Sequence, residues 1–180
     1  RAEVVDAMIP WLREAFGNPS SVHSLGQKAR AALERAREQV AGIIGACDTS
    51  EIVFTSCGSE ADVLAVAGGG WQGHDESKGK RRKVVTSVIE HDAIRLLAAQ
   101  LRRRGFEVAQ ACCGHDGVVS AAGLAALVDD ATAVVSLMHA NNETGVLQPV
   151  ASAVAAARAH GALAHIDAVQ SLGKIPLDVK

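Results

Sequence analysis

Short apolar runs alternate with segments of helical period along most of this chain, and that alternation constrains its fold more than anything else in the sequence. Glu51-Ile52-Val53-Phe54-Thr55 reads as a β-like run, followed by a Gly-Ser turn and a helix through Leu64-Ala65-Val66-Ala67. Val84 to Ile89 predicts a strand, Asp92 to Arg104 a helix, and Phe106 to Ala109 a further strand. Val118-Val119 begins a short fourth strand, and a helix through Leu124, Leu127 and Val128 leads into the strand Ala133 to Met138. Val150 to His160 is helical again, and Leu163 to Asp167 is the last strand. The runs are continuously apolar rather than alternating, the pattern of strands covered on both faces. Strands taking turns with helices give an α/β domain with a mainly parallel sheet.

Ahead of this region lie two helical stretches. Ala2 to Phe16 has a helical period that Pro10 interrupts, which predicts a kink or a division there. Gly17-Asn18-Pro19-Ser20-Ser21 is a loop, and a second helix runs from roughly Gly26 to Gly45. No internal repeat or low-complexity tract appears.

Composition narrows the function classes. With 180 residues, 48% of them hydrophobic and 21% charged, the chain has the material for one domain with a sizeable core. A net charge of -2 gives no global attraction to nucleic acid or to an anionic membrane. The basic cluster Lys78, Lys80, Arg81, Arg82 and Lys83 surrounds Gly79 without aromatics and reads as a solvated loop. No apolar run is long enough to span a bilayer, and Glu3, Asp6, Arg13 and Glu14 break any signal-peptide pattern, so a cytoplasmic protein is expected. Cys47, Cys57, Cys112 and Cys113 lack C-x-x-C spacing, which predicts free thiols, mostly in the core, and no metal site.

In a sheet of this kind ligands bind beyond the carboxyl ends of the strands, so the residues there carry the chemistry. Thr55-Ser56-Cys57-Gly58-Ser59-Glu60 follows the first run, and Glu90-His91-Asp92 the second. His139-Ala140-Asn141-Asn142-Glu143-Thr144-Gly145 follows Met138, and Asp167 closes the last strand with Gln170 just beyond. Each segment alone has an ordinary reading. A Gly-Ser helix start is an N-cap as readily as an anion site, and Asn-Asn with Gly is as readily a turn. Asp167 ends an apolar strand, where an ionised carboxylate needs a partner such as a cation or a protonated ring nitrogen; a cap or turn aspartate is the plainer alternative. Together, an anion-binding helix start, a flat histidine, an amide and a carboxylate describe a pocket for a planar, phosphorylated, protonatable heterocycle such as pyridoxal phosphate.

These segments resemble the cysteine desulfurases and selenocysteine lyases, within the class V, fold-type I pyridoxal-phosphate enzymes. The resemblance is carried by residues 17–21, 51–56, 90–92 and 138–145, and by His165 to Lys174. It implies the large cofactor domain of that group, a three-layer αβα sandwich, spanning 1–180 as a partial domain. It also implies that Gly58 and Ser59 hold the phosphate and that His91 stacks on the ring and acts in proton transfer. Asn142 and Gln170 would contact the phenolic oxygen, and Asp167 would pair with the ring nitrogen. The implied reaction converts L-cysteine to L-alanine, leaving sulfur on an enzyme cysteine for an acceptor or iron-sulfur scaffold protein. A homodimer is implied for the complete protein.

The same resemblance places the cofactor-anchoring lysine and the sulfur-accepting cysteine outside these residues. Lys174 and Lys180 do not align with that lysine, and none of the four cysteines with that cysteine. The 180 residues alone are therefore expected to be inactive. Two other readings stay open: a selenocysteine lyase, or a non-catalytic split subunit. Cys57 stands where the family usually has glycine, and strain is expected if its backbone takes a positive φ.

Overall fold

The computed structural model describes residues 1–179, and the chain divides into two compact units. One comprises Arg1–Phe54 with the segment from Leu177; the other is Thr55–Pro176.

The first unit begins with helix α1 (Ala2–Arg13), which continues through Pro10 without dividing. Proline removes one amide donor, and so close to the helix end few bonds remain to be broken. Helix α2 (Ser24–Ile44) starts two residues before the expected position because His23 caps it, Nδ1 accepting from the Gly26 N–H at 3.3 Å. It stops at Gly45, whose left-handed backbone (φ 75°) closes the last turn. The intervening loop packs backbone against backbone. A Cβ on Gly17 would stand 2.4 Å from the Leu25 carbonyl oxygen, and one on Gly26 2.3 Å from that of Ser21.

The first predicted strand is not one. Thr49–Glu51 is a 3₁₀ turn with an Asp48–Glu51 capping box, and residues 52–55 are extended without a ladder among the described residues. The Arg37 guanidinium instead donates to the Ile52 carbonyl and lies over the Phe54 ring at 5.2 Å. Apolar and β-branched content made this segment extended, but no strand lies beside it to take its backbone groups.

In the second unit, helix α3 (Gly58–Glu76) precedes strand β1 (Lys83–Ser87) and helix α4 (Asp92–Arg103). Strand β2 (Glu107–Ala111), the short helix α5 (Ala121–Ala125), strand β3 (Thr132–Met138), helix α6 (Val150–Ala159) and strand β4 (Leu163–Asp167) follow. The four strands form one parallel sheet in the order β2-β1-β3-β4. Val118-Val119 contributes only a single bridge, to Cys113.

Both faces of the sheet are covered. Val84 and Val134 pack with Val66 of α3 and Ile94, Leu97 and Leu101 of α4. Val85, Val135 and Leu137 point the other way, against Leu124 of α5 and Ala153 and Ala157 of α6. The architecture is thus the α/β three-layer sandwich that the sequence predicts. The continuous apolar pattern holds for β1 and β3, buried at every position, but not for the edge strands β2 and β4, which expose Glu107 and Leu163.

Two surface expectations change. The basic cluster lies in a loop, but three of its side chains are tied down. Arg81 donates to the carbonyls of His160 (2.8 Å) and Gly161, Arg82 to that of Arg104 at 3.0 Å, and Lys83 is buried against Asp129 at 2.9 Å. The four cysteines are free, but none is a core residue: Cys47, Cys57 and Cys112 are exposed and Cys113 is half-buried.

Candidate functional site

The chain leaves β1 for β2 on one side and reaches β3 on the other, so the sheet order reverses between β1 and β3. A crevice forms at such a reversal, outside the carboxyl ends of the strands. Here it is a cavity of about 250 Å³ lined by Gly58, Ser59, Asp62, His91, Asn142, Asp167 and Gln170 with four neighbours. All six residues singled out from the sequence meet in this one space.

The start of α3 forms one wall. Cys57 is the N-cap and makes no side-chain capping bond, so the amides of the first turn are not taken by the cap. The turn is braced from outside the cavity: Glu60 accepts from the Ser56 hydroxyl at 2.5 Å and the Ser56 N–H at 2.6 Å. The hydroxyl, then the amide, hold the Glu60 carboxyl below its ordinary range. Cys57 itself has φ −163° and ψ 169°, extended backbone open to any residue, so the expected strain is absent. The tight position is Gly58, where a Cβ would stand 3.0 Å from Cγ2 of Val169.

The loops after β1 and β3 form the opposite wall. His91 caps α4, its Nδ1 accepting from the Ala93 N–H at 3.1 Å, so Nε2 is the nitrogen left to meet a ligand. Asn141 does not line this cavity. Its Oδ1 accepts from the amides of Glu143 (3.0 Å) and Thr144 (2.9 Å), and its Nδ2 donates to the Ile89 carbonyl at 3.2 Å. The first asparagine thereby shapes the turn and the second, exposed, faces the cavity.

The floor is acidic. Asp167 is 9% exposed; its Oδ1 accepts from the Val169 N–H at 2.9 Å, and no partner for Oδ2 exists among the described residues. Gln170 accepts from Lys174 Nζ at 3.0 Å through Oε1, leaving its amide N–H groups to donate. Behind the cavity wall lies Glu90, 8% exposed, its Oε1 accepting from Ser87 Oγ at 2.6 Å and from the Met138 N–H at 3.1 Å. Burial pushes the Glu90 carboxyl up to about 7, against the lowering effect of those two bonds, with the Asp167 charge adding to the rise.

One lining residue escaped the sequence reading. Asp62 is 5% exposed and lies 3.4 Å from Nε2 of His165, whose Nδ1 is 2.9 Å from Ser136 Oγ. Three positions after Ser59 on a helix, it falls on the same face, and that spacing is the signal that could have found it.

A family model, aminotransferase class-V, matches residues 1–180. The chain belongs to that family. Among curated relatives, the cysteine desulfurase of Enterobacter agglomerans is 41% identical over 177 residues, 98% of this chain and 43% of the relative. Among solved structures, a NifS-like protein superposes with a TM-score of 0.90 at 36% identity, over 99% of this chain and 48% of its own. SspA in complex with cysteine gives a TM-score of 0.90 at 33% identity, over 99% of this chain and 50% of its own. This class-V chain thus spans less than half the length of that curated relative. Among the described residues, no helix is long and apolar enough to cross a membrane.

The donor set of this class-V site suits pyridoxal phosphate. Uncommitted amides and a hydroxyl at a helix N-terminus suit its phosphate, and the free oxygen of a buried carboxylate suits a protonated ring nitrogen. At Gly58 a side chain would crowd the Val169 methyl, its Cβ standing 3.0 Å from Cγ2.

Proposed function

We propose that the complete protein is a pyridoxal-phosphate-dependent cysteine desulfurase and that residues 1–180 form part of its large, cofactor-binding domain. The observation that carries this reading is the meeting of Gly58, Ser59, His91, Asn142, Asp167 and Gln170 around one cavity. The likeness to proteins named cysteine desulfurase, and to one solved with cysteine, supports L-cysteine as substrate.

The cofactor supplies, when bound, an electron sink for negative charge developing on the substrate. The chain's residues do the positioning. The first-turn amides of α3 and the Ser59 hydroxyl take the phosphate, where the helix end favours an anion. Asp167, fixed by the Val169 amide, offers Oδ2 to the ring nitrogen and keeps it protonated. Asn142 and the free N–H groups of Gln170 donate toward the phenolic oxygen. His91 lies against the ring and, with Nδ1 occupied, moves a proton through Nε2.

Sulfur leaves on a cysteine outside these residues and passes to an acceptor or iron-sulfur scaffold protein in the cytoplasm, the enzyme acting as a homodimer. The test is alanine and persulfide production from L-cysteine by the full-length, cofactor-loaded protein. Asp167→Asn should lower the rate by about a hundredfold, in the range seen when one preorganised electrostatic partner is removed. Turnover of selenocysteine with none of cysteine would overturn the substrate assignment, and an unchanged Asp167→Asn enzyme the role of Asp167.

A further inference from the structure

Strand β1 ends at Ser87 while β3 continues to Met138, so the Met138 N–H has no β1 carbonyl to pair with. Glu90 takes its place: Oε1 accepts from that amide at 3.1 Å and from Ser87 Oγ at 2.6 Å. One residue after Glu90 comes His91, and two after Met138 comes Ala140, which lines the cavity with Asn142. The carboxyl is thus the joint between the two loops that form one cavity wall, and Asn141 Nδ2 to the Ile89 carbonyl is a second tie between them. No cavity-lining role falls to Glu90 itself.

We propose that Glu90 is a positioning residue of the cofactor site, its carboxyl fixing the His91 loop to the Asn142 loop through Met138 and Ser87, a role that rests on the cofactor reading above.

The geometry also determines where its proton sits. Oε1 holds two donors, while Oε2 is buried with no partner. An ionised carboxylate would leave half its charge without solvation there, and burial accordingly raises the group to about 7. Each surrounding element presents a defined group to it. β1 gives the Ser87 hydroxyl, β3 the Met138 amide, and β4 both Asp167, which raises it, and His165, which lowers it. On α4, Asp92 is paired with Arg95, and on α3, Asp62 lies against His165. Because the folded-state value lies above the ordinary 4.5, the stability it contributes is complete below about 4.5 and is lost as pH rises through about 7.

The experiment uses the full-length protein as wild type, Glu90→Gln and Glu90→Ala. Pyridoxal phosphate affinity is read by fluorescence titration, and the urea midpoint of the cofactor-free form is read from pH 5 to 8.5. Glu90→Gln keeps the acceptor without a charge. It should bind within about threefold of wild type, whereas Glu90→Ala, leaving Met138 unpaired, should bind about tenfold more weakly. Relative to Glu90→Gln, the wild-type midpoint should fall between pH 5 and 7.5. Wild-type affinity in Glu90→Ala, or a loss in Glu90→Gln as large as in Glu90→Ala, would overturn the proposal. So would parallel pH profiles for wild type and Glu90→Gln. If wild type itself fails to bind the cofactor, the functional reading falls, and Glu90 falls with it as a cofactor-site residue.

Discussion

Cys57 shows how little a residue's identity says until its backbone is known. As a departure from glycine it suggests strain, but it is extended, with φ −163°, and its thiol makes only a loose 3.9 Å contact with Ser56 Oγ. Cys57→Ala should therefore change stability by less than about 0.5 kcal/mol, as surface substitutions away from special features do. Its pyridoxal phosphate affinity in the full-length protein should stay within about threefold of wild type; a tenfold loss in the same titration would mean that the thiol contacts the phosphate. Most of the site was legible because parallel strands deliver their C-terminal neighbours to one rim, so His91, Asn142 and Asp167 could be grouped by position alone. Gly58 was grouped with them through residues 51–55, which form no strand. Asp62 was not grouped with them, and Glu90, though quoted beside His91 at the strand end, was given no role of its own. The place of Asp62 comes from helical spacing and the role of Glu90 from a side-chain bond to the Met138 amide on another strand, and a list of strand ends shows neither the spacing nor the bond.

At the scale of elements, α3 carries the cradle and must also lie flat on the sheet. It does so through glycines. A Cβ on Gly69 would approach Leu163 Cδ1 at 3.0 Å and Val134 Cγ2 at 3.1 Å, and one on Gly73 would stand 3.0 Å from Ala133 Cβ. Gly68, one residue before, faces open space. The two make a matched pair. Gly69→Val should cost about 1–3 kcal/mol by overpacking, whereas Gly68→Val should stay within about 0.5 kcal/mol of wild type, valine and glycine differing little in helix propensity. Urea unfolding of the full-length protein measures both, and equal effects at the two positions would refute a close helix–sheet contact. Periodicity predicted the existence and order of the helices well. It failed at residues 51–55, because an apolar extended run becomes a strand only when a neighbour pairs with it, and sequence does not reveal the neighbour.

At the scale of the whole molecule, exposed apolar surface is the feature that most needs a physical consequence. Helix α1 buries none of its residues, yet Val4, Val5, Met8 and Leu12 are 53–71% exposed, and Phe16 beyond it 73%. Strand β4 is one edge of the sheet, and its Leu163 is 51% exposed. Single exposed apolar residues are ordinary, but a helix with an open apolar stripe and an unpaired strand edge both favour association. The 180 residues should therefore self-associate when expressed alone, and should bind an apolar dye such as anilinonaphthalene sulfonate more strongly per mole than the complete protein does. Sedimentation velocity and dye fluorescence at matched concentrations measure this. Leu12→Glu with Met8→Lys should reduce both signals if α1 is the source, since the charges replace the stripe without touching a buried residue. A monomeric, dye-silent 180-residue chain would refute an open apolar stripe on α1. A variant that lowers neither signal would move the cause to the β4 edge, where a lysine at Leu163 would then have to reduce association.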